Sequence, residues 1–393
     1  MTAPETSPPR LPWDAADPHP FYEARRREGT VVWDGTAQAW LALGYHAVRE
    51  VLSGPGWISD PRAGRPSRDA PAFLDPQFVE ANMLFTDAAP HGRLRGAVRD
   101  VFTRSFVTGL TDGVESICAD VISAVHVQDP VEVMSRIALP LPIAVIGAWM
   151  GLDAGQCGAL RDHSPSIVRI LGGFSDDREL RDGLSAAAAL IADFLPAAAD
   201  RRARPGDDLL SFIAADPGLS LDEVVVTAIL VAVAGHETTA NLLGAGLIRL
   251  LTPTPDGTRL ADGIDPADPA AVTELLRLDA PVQAAARTAT TDHHLDGVTI
   301  RRGEPVLACV AAANRDPEVY PRPDDFRPGR RGPAPLSFGH GAHYCLGAPL
   351  ARLEIAVALR QFLDREPILT GTPVWRDTPA IRGPLTVPAV FTA

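Results

Sequence analysis

In the stretch PLSFGHGAHYCLGAPLARLE (335–354), a single thiol, Cys345, stands among three glycines and two histidines. A cysteine acts as a metal ligand or nucleophile only as the thiolate, and a helix N-terminus lowers its pKa. Cys345 lies just upstream of a helix-forming run, with Pro349 placed for its first turn. The amides after the sulfur are then free to point at it. Gly339, Gly341 and Gly347 let backbone approach a flat ligand or a cluster closely. Further polar residues need a reason. AGHETT (234–239) interrupts the nearly all-apolar run 221–251, which reads as a long buried helix. Glu237 and Thr238 there are either a structural hydrogen-bond pair or a functional one. His91 and Arg95, four apart, share a helix face, as do Glu274 and Arg277, three apart. Arg287 sits on an extended piece, AAARTAT.

The arrangement F-G-x-G-x-H-x-C-x-G, supplied by Phe338, Gly339, Gly341, His343, Cys345 and Gly347, closely resembles the haem-binding loop of the cytochrome P-450 family. The resemblance implies haem b as cofactor and Cys345 thiolate as the axial ligand of its iron. Haem propionates need cations or strong donors when buried, and His91, Arg95, Arg287 and His343 match the family's propionate partners. Ala234, Gly235, Glu237 and Thr238 match a stretch that crosses the open face of the haem. There the family's helix is locally distorted into a groove for dioxygen, and Glu237 and Thr238 would be catalytic, relaying protons. His236 falls at a variable position and is given no catalytic role. Glu274, Arg277 and Arg330 match a buried ExxR network that would lock the core behind the haem, and NRDP (314–317) is another familiar stretch. Arg327 stands where an acid is common, which weakens the local match.

Function follows from the resemblance. Dioxygen would be activated reductively, one oxygen atom entering a C–H bond or a double bond of a medium or bulky apolar molecule, the other leaving as water. No flavin- or nicotinamide-binding region is visible, so electrons would come from a ferredoxin and its reductase, with NAD(P)H as source. Arg95, Arg99, Arg104, Arg352 and Arg360 would form a basic docking face near Cys345. The substrate pocket is expected to be lined by 62–88, Val233, Ala234, Val282–Ala286 and a turn near Ile381. Peroxide-driven relatives generally replace the acid–alcohol pair with arginine, and GHETT has none. A haem-binding sensor would not need that pair, while an oxidative-coupling enzyme stays within the same class.

The elements that must position these groups are mainly helical. FYEARRREG, HAVREVL, PHGRLRGAVRDVFTRSF, DGVESICADVISAV, PAAVTELLRL and 348–364 read as helices around the central one. TVVWDGTAQAWLAL reads as two strands about an Asp-Gly turn, and 54–90 as a long loop region. The predicted fold is mainly α with small β-sheets, the long central helix crossing the haem. Residues 1–18 are an irregular lead-in and 19–393 one catalytic domain. A net charge of −13 disfavours non-specific nucleic-acid binding. All cations are arginine, since the chain has no lysine. Four cysteines without CxxC spacing argue against a disulfide framework or zinc ribbon. No signal pattern opens the chain and the longest apolar run is too short for a bilayer. A cytoplasmic protein with no membrane and no nucleic acid among its partners is expected.

Overall fold

The computed structural model describes residues 14, 16–63, 76–171, 177–265, 268–378 and 381–393, so the expected lead-in lies almost wholly outside it. The chain begins with α1 (His19–Glu28), β1 (Val31–Asp34), β2 (Ala39–Ala42), α2 (Tyr45–Ser53) and β3 (Trp57–Ile58). α3 (Pro76–Ala81), α4 (Ala88–Arg99), α5 (Arg104–Thr108) and α6 (Thr111–Ser123) follow. β4 (Pro130–Glu132) then leads through a short π-helical turn into α7 (Pro140–Met150). Next come α8 (Ala154–Leu171), α9 (Asp177–Ala203), α10 (Leu209–Ala214), α11 (Leu221–Leu251) and α12 (Pro269–Leu278). β5 (Ala285–Ala289), β6 (His293–Leu295), β7 (Val298–Ile300), β8 (Pro305–Ala308) and α13 (Val310–Ala313) precede a long loop to α14 (Ala348–Leu363). The chain closes on β9 (Pro367–Leu369), β10 (Val374–Trp375), β11 (Pro384–Thr386) and β12 (Pro388–Phe391).

The central helix spans the predicted residues. Its start is fixed by a capping box, Ser220 accepting from the Glu223 amide while the Glu223 carboxylate accepts from that of Ser220. Its two halves are buried in different places. The N-terminal half packs with α8, α9 and α10 in one apolar cluster. The C-terminal half packs with α6, α12 and α14 in another. By length and composition α11 and the segment Arg178–Ala203 could each cross a bilayer, which the sequence reading did not anticipate. The apolar window of α11 is 72% buried inside the protein and that of Arg178–Ala203 only 28%.

A five-stranded sheet, ordered β1-β2-β8-β5-β3, covers one side. The β1–β2 connection is longer than a two-residue Asp-Gly turn: Asp34 uses its carboxylate to accept the amides of Thr36 and Ala37, both at 2.9 Å. The expected loop region 54–90 also carries β3, α3 and the start of α4. The helix expected over 90–106 is divided between α4 and α5, because Thr103 is extended and caps α5 by accepting the Phe106 amide.

Behind the Cys345 loop, α14 buries Glu354, whose carboxyl is pushed up to about 8 by burial. With the folded pKa raised, the native state holds a proton that the unfolded chain releases near pH 4.3. Stability from this group is full below that pH and is lost as pH rises toward 8. Glu354→Gln is expected to raise the melting temperature at pH 8 by several degrees and to leave it nearly unchanged at pH 5. Melts at the two pH values that shift equally would remove this reading.

Candidate functional site

Exposure along α11 defines the site. Between Val224 and Leu251, only Ala234 is exposed, and Val231, Gly235 and Thr238 beside it are half-buried. Positions 231, 234, 235 and 238 follow the i, i+3, i+4, i+7 spacing of one helix face, so a single stripe opens onto a cleft. A Cβ at Gly235 would meet nothing within 4 Å. The Thr238 hydroxyl donates to the Ala234 carbonyl at 2.7 Å. The local distortion expected here is not found, since α11 stays an unbroken α-helix and its opening is confined to that bond. Glu237 does not share the stripe. It is 1% exposed, points about 100° away from Thr238 around the helix, and accepts a 2.7 Å ion pair from Arg376 Nη1. The structure thus does not bring the acid and the alcohol together on the cleft side.

The Cys345 loop is built as the spacing implied. Gly339 and Gly341 hold φ of +73° and +74°, a left-handed region that glycine alone enters at no steric cost. A Cβ at Gly341 would also stand 2.7 Å from that of Ser53, so this glycine serves packing against the end of α2. The Cys345 amide donates to Phe338 O at 2.8 Å and closes the loop. Gly347 caps α14, and its amide with that of Ala348 faces the half-buried thiol. Burial pushes this thiol up, opposed by those amides and by Arg95 and Arg352. Next to it, Leu346 packs on the same apolar cluster as the N-terminal half of α11.

The four expected propionate partners do gather. His91 and His343 have ring centroids 4.2 Å apart. Arg95 Nη2 donates to Tyr344 O at 2.7 Å. Among the described residues, Arg287 donates only to its neighbour's carbonyl, Ala286 O. Burial lowers the pKa of Arg95, Arg287 and His91, the last to about 4. Neither Arg95 nor Arg287 has a carboxylate ion pair among the described residues, so two half-buried guanidinium groups await anions. With a thiol at a helix start and an open helix face, this donor set fits a haem with two propionates. Sequence reasoning missed Asp87 and Ser59. His343 Nε2 lies 3.1 Å from Asp87 Oδ1 and 3.1 Å from Ser59 Oγ. Burial raises the Asp87 carboxyl, but the bonds from His343 and the Ser59 amide outweigh it and hold it below the usual range. Asp87 precedes α4 as a helix cap should, a readable signal, yet its side chain caps nothing.

Glu274, Arg277 and Arg330 form the expected network. Arg277 Nη2 lies 2.7 Å from Glu274 Oε1, and Arg330 Nε lies 3.2 Å from the same oxygen. Arg327 contributes its backbone amide to Glu274 at 3.0 Å, so the departure at its side chain does no harm. Arg277 also donates to Asn314 O. Asn314, the first residue of NRDP, accepts the Leu336 amide at 2.7 Å and donates to Ser337 at 2.8 Å. The network therefore reaches the start of the Cys345 loop.

Of the expected pocket lining, Val233 and, from the 62–88 region, Phe78 and Asn82 are found in an apolar cavity with Ile167, Ile191 and Ile229. Residues 64–75 lie outside the described residues. Ala286 is exposed, Val282 pairs with Ile381 as an isolated bridge, and none of the three is among that cavity's lining residues. The contribution of α8 and α9 was not anticipated, since nothing in their amphipathic pattern says which face roofs a cavity.

A helix-rich fold with an open stripe on its central helix and a thiol at a helix start is the architecture of a haem-thiolate oxygenase. The family model for cytochrome P-450 matches residues 269–365. The chain is 36% identical to 6-deoxyerythronolide B hydroxylase of Saccharopolyspora erythraea, over 88% of each chain. It is 35% identical to vitamin D(3) 25-hydroxylase of Pseudonocardia autotrophica, covering 93% of this chain and 92% of that one. The crystal structure of P450BioI in complex with hexadec-9Z-enoic acid-ligated acyl carrier protein superposes with a TM-score of 0.88 at 29% identity, over 96% of this chain and 99% of that one. The chain belongs to the cytochrome P-450 family. It is a haem-dependent monooxygenase that takes dioxygen, a small-molecule substrate and electrons from a redox partner.

Proposed function

We propose that the chain hydroxylates or epoxidises a medium-to-bulky apolar small molecule, in the cytoplasm, with electrons from a ferredoxin and ferredoxin reductase drawing on NAD(P)H. The observation that carries this reading is the open stripe of α11 at Val231, Ala234, Gly235 and Thr238. The names of the two hydroxylase relatives support it. Residues 19–393 act as one catalytic unit, since α11 is shared by both large apolar clusters.

Cys345 ligates the iron through its sulfur. His91, Arg95, Arg287 and His343 hold the propionates, and Ala234, Gly235, Phe338, Gly339 and Gly347 leave or shape the space for the ring. Bound haem supplies reductive activation of dioxygen, with electron density from the thiolate. Thr238 presents a hydroxyl in the cleft and donates it to the Ala234 carbonyl; Glu237 is the acid of the pair, and resupplying Thr238 requires its side chain to turn from Arg376, where it rests in this structure. For the ferredoxin, Arg95 and Arg352 flank the Cys345 loop, and Arg104 lies further along the chain on α5. Arg99 and Arg360 contribute less than expected, because Asp100 at 3.1 Å and Glu115 at 2.7 Å already pair with them.

Thr238→Ala tests the assignment. Cofactor content and ligand-induced spin-state shifts are expected to stay, while product formed per NAD(P)H consumed falls roughly tenfold or more. Unchanged stoichiometry would remove Thr238 from proton delivery. A spin-state screen in which apolar ligands of substantial size do nothing would remove the substrate class.

A further inference from the structure

Among the described residues, the apolar cavity beside the N-terminal half of α11 is lined by a single polar side chain, that of Asn82. Asn82 is 3% exposed. It follows α3 directly and stands four positions after Phe78, which lines the same cavity. Most of its hydrogen-bonding groups are committed to the local turn. Its backbone amide donates to Val79 O at 3.2 Å, and its carbonyl accepts the Phe85 amide at 3.0 Å. Its side-chain Oδ1 accepts the Leu84 amide at 2.9 Å. A backbone N–H only donates, so the oxygen of the side-chain amide must face Leu84, and the bond fixes the orientation of the group. Nδ2 is left over, with two hydrogens and no partner among the described residues.

A wall of valine, leucine, isoleucine and phenylalanine accepts any apolar body of suitable size and discriminates weakly among them. In such a site a few placed polar groups fix the orientation of a ligand. Nδ2 can only donate, so it selects for an acceptor. A hydrocarbon lying against it leaves both hydrogens bare in an apolar wall, which is costly. A hydroxyl would accept from Nδ2 but brings a hydrogen of its own, and no other described lining side chain carries an acceptor for it. A carbonyl oxygen satisfies Nδ2 and brings no donor.

We propose that Asn82 is a specificity-determining residue, and that the substrate is an apolar skeleton bearing a keto or ester carbonyl whose oxygen accepts a hydrogen bond from Nδ2. The inference rests on the reading that the chain oxidises a medium-to-bulky apolar molecule, and it adds the one polar handle that molecule must carry. The carbonyl is not the group oxidised. It is the anchor that decides which part of the skeleton stays beside α3, and the committed bond to Leu84 keeps Nδ2 from swinging away to serve a differently placed oxygen.

The test uses the haem-loaded protein and needs no turnover: ligands are titrated and the spin-state shift is read. The probes are cyclododecanone, cyclopentadecanone and cholestanone, each paired with the isostere in which an exocyclic methylene replaces the carbonyl oxygen. In every pair that shifts the spin state, the ketone is expected to bind about tenfold more tightly than its isostere. Asn82→Leu removes the donor at nearly constant volume. Asn82→Ser keeps a hydroxyl that can accept the Leu84 amide and is too short to present a donor to the cavity. Both variants are expected to keep their haem and to bring each pair to within about twofold, by weakening the ketone. If the parent protein binds ketone and isostere equally, the assignment of Asn82 is overturned whatever the variants do. If Asn82→Leu abolishes the preference and Asn82→Ser retains it, the turn and not the donor sets it, and the assignment fails as well. If the isosteres shift the spin state and the ketones do not, the apolar substrate class stands and the carbonyl handle is wrong. If no member of any pair shifts it, the reading of an apolar substrate fails, and the inference with it.

Discussion

Cys345→Ala is expected to lose the far-red-shifted Soret band of the reduced, carbon monoxide-treated protein, together with all product formation above background. The fold should survive. The bond that closes the loop runs from the Cys345 amide to Phe338 O, and alanine keeps it. No other thiol can take over. Cys118 and Cys309 are buried, and burial pushes each thiol up to about 12. Burial raises that of Cys157 as well. Cys157→Ser serves as the matched control and should leave the band in place. A Cys345→Ala protein that still shows the shifted band would end the assignment of the ligand.

Glu274→Ala is expected to have the largest effect on stability. Its carboxylate is 4% exposed and partners Arg277, which is 2% exposed, together with Arg330. Removing it leaves two guanidinium groups facing each other, one fully inside the protein. Breaking a buried pair in this way costs about 3–5 kcal/mol, which lowers the melting temperature by roughly 4–6 °C for a chain of this size. The effect should travel further than the core. Arg277 donates to Asn314 O, and Asn314 fixes Leu336 and Ser337 at the start of the Cys345 loop. Haem content per protein should therefore fall along with the melting temperature, and Glu274→Gln should fall between. A Glu274→Ala variant that melts within 2 °C of the parent and binds a full complement of haem contradicts this coupling.

What the sequence disclosed and what it hid divide by range. Cys345, its glycines and the helix after it were readable because an αL turn, a helix start and a thiol each demand particular residue types within a few positions. Glu274 and Arg277 were readable because a three-residue spacing places them on one face. The long helix over 221–251 announced itself by unbroken apolarity and the Ser-x-x-Glu box before it. Arg376 was hidden: it meets Glu237 from 139 positions away, out of a proline-studded tail with no periodicity. Asp87 resembled a helix cap and is instead a partner of His343. Asn314 was only a familiar stretch, although its amide joins two motifs that had been read separately. The basic face was overestimated for the same reason, since Glu115 reaches Arg360 across 245 positions.

The stripe at Ala234 and Gly235 also sets limits on how this scaffold can be hardened. A glycine inside a helix forfeits about 1 kcal/mol relative to alanine, so Gly235→Ala is the first substitution a heat-resistance screen would select. Its new methyl would project into the open space beside that stripe. Robustness and access compete for the same few atoms here, and an engineer seeking a tougher catalyst gains more from the outer face of α9, where Leu184 and Leu195 lie in water.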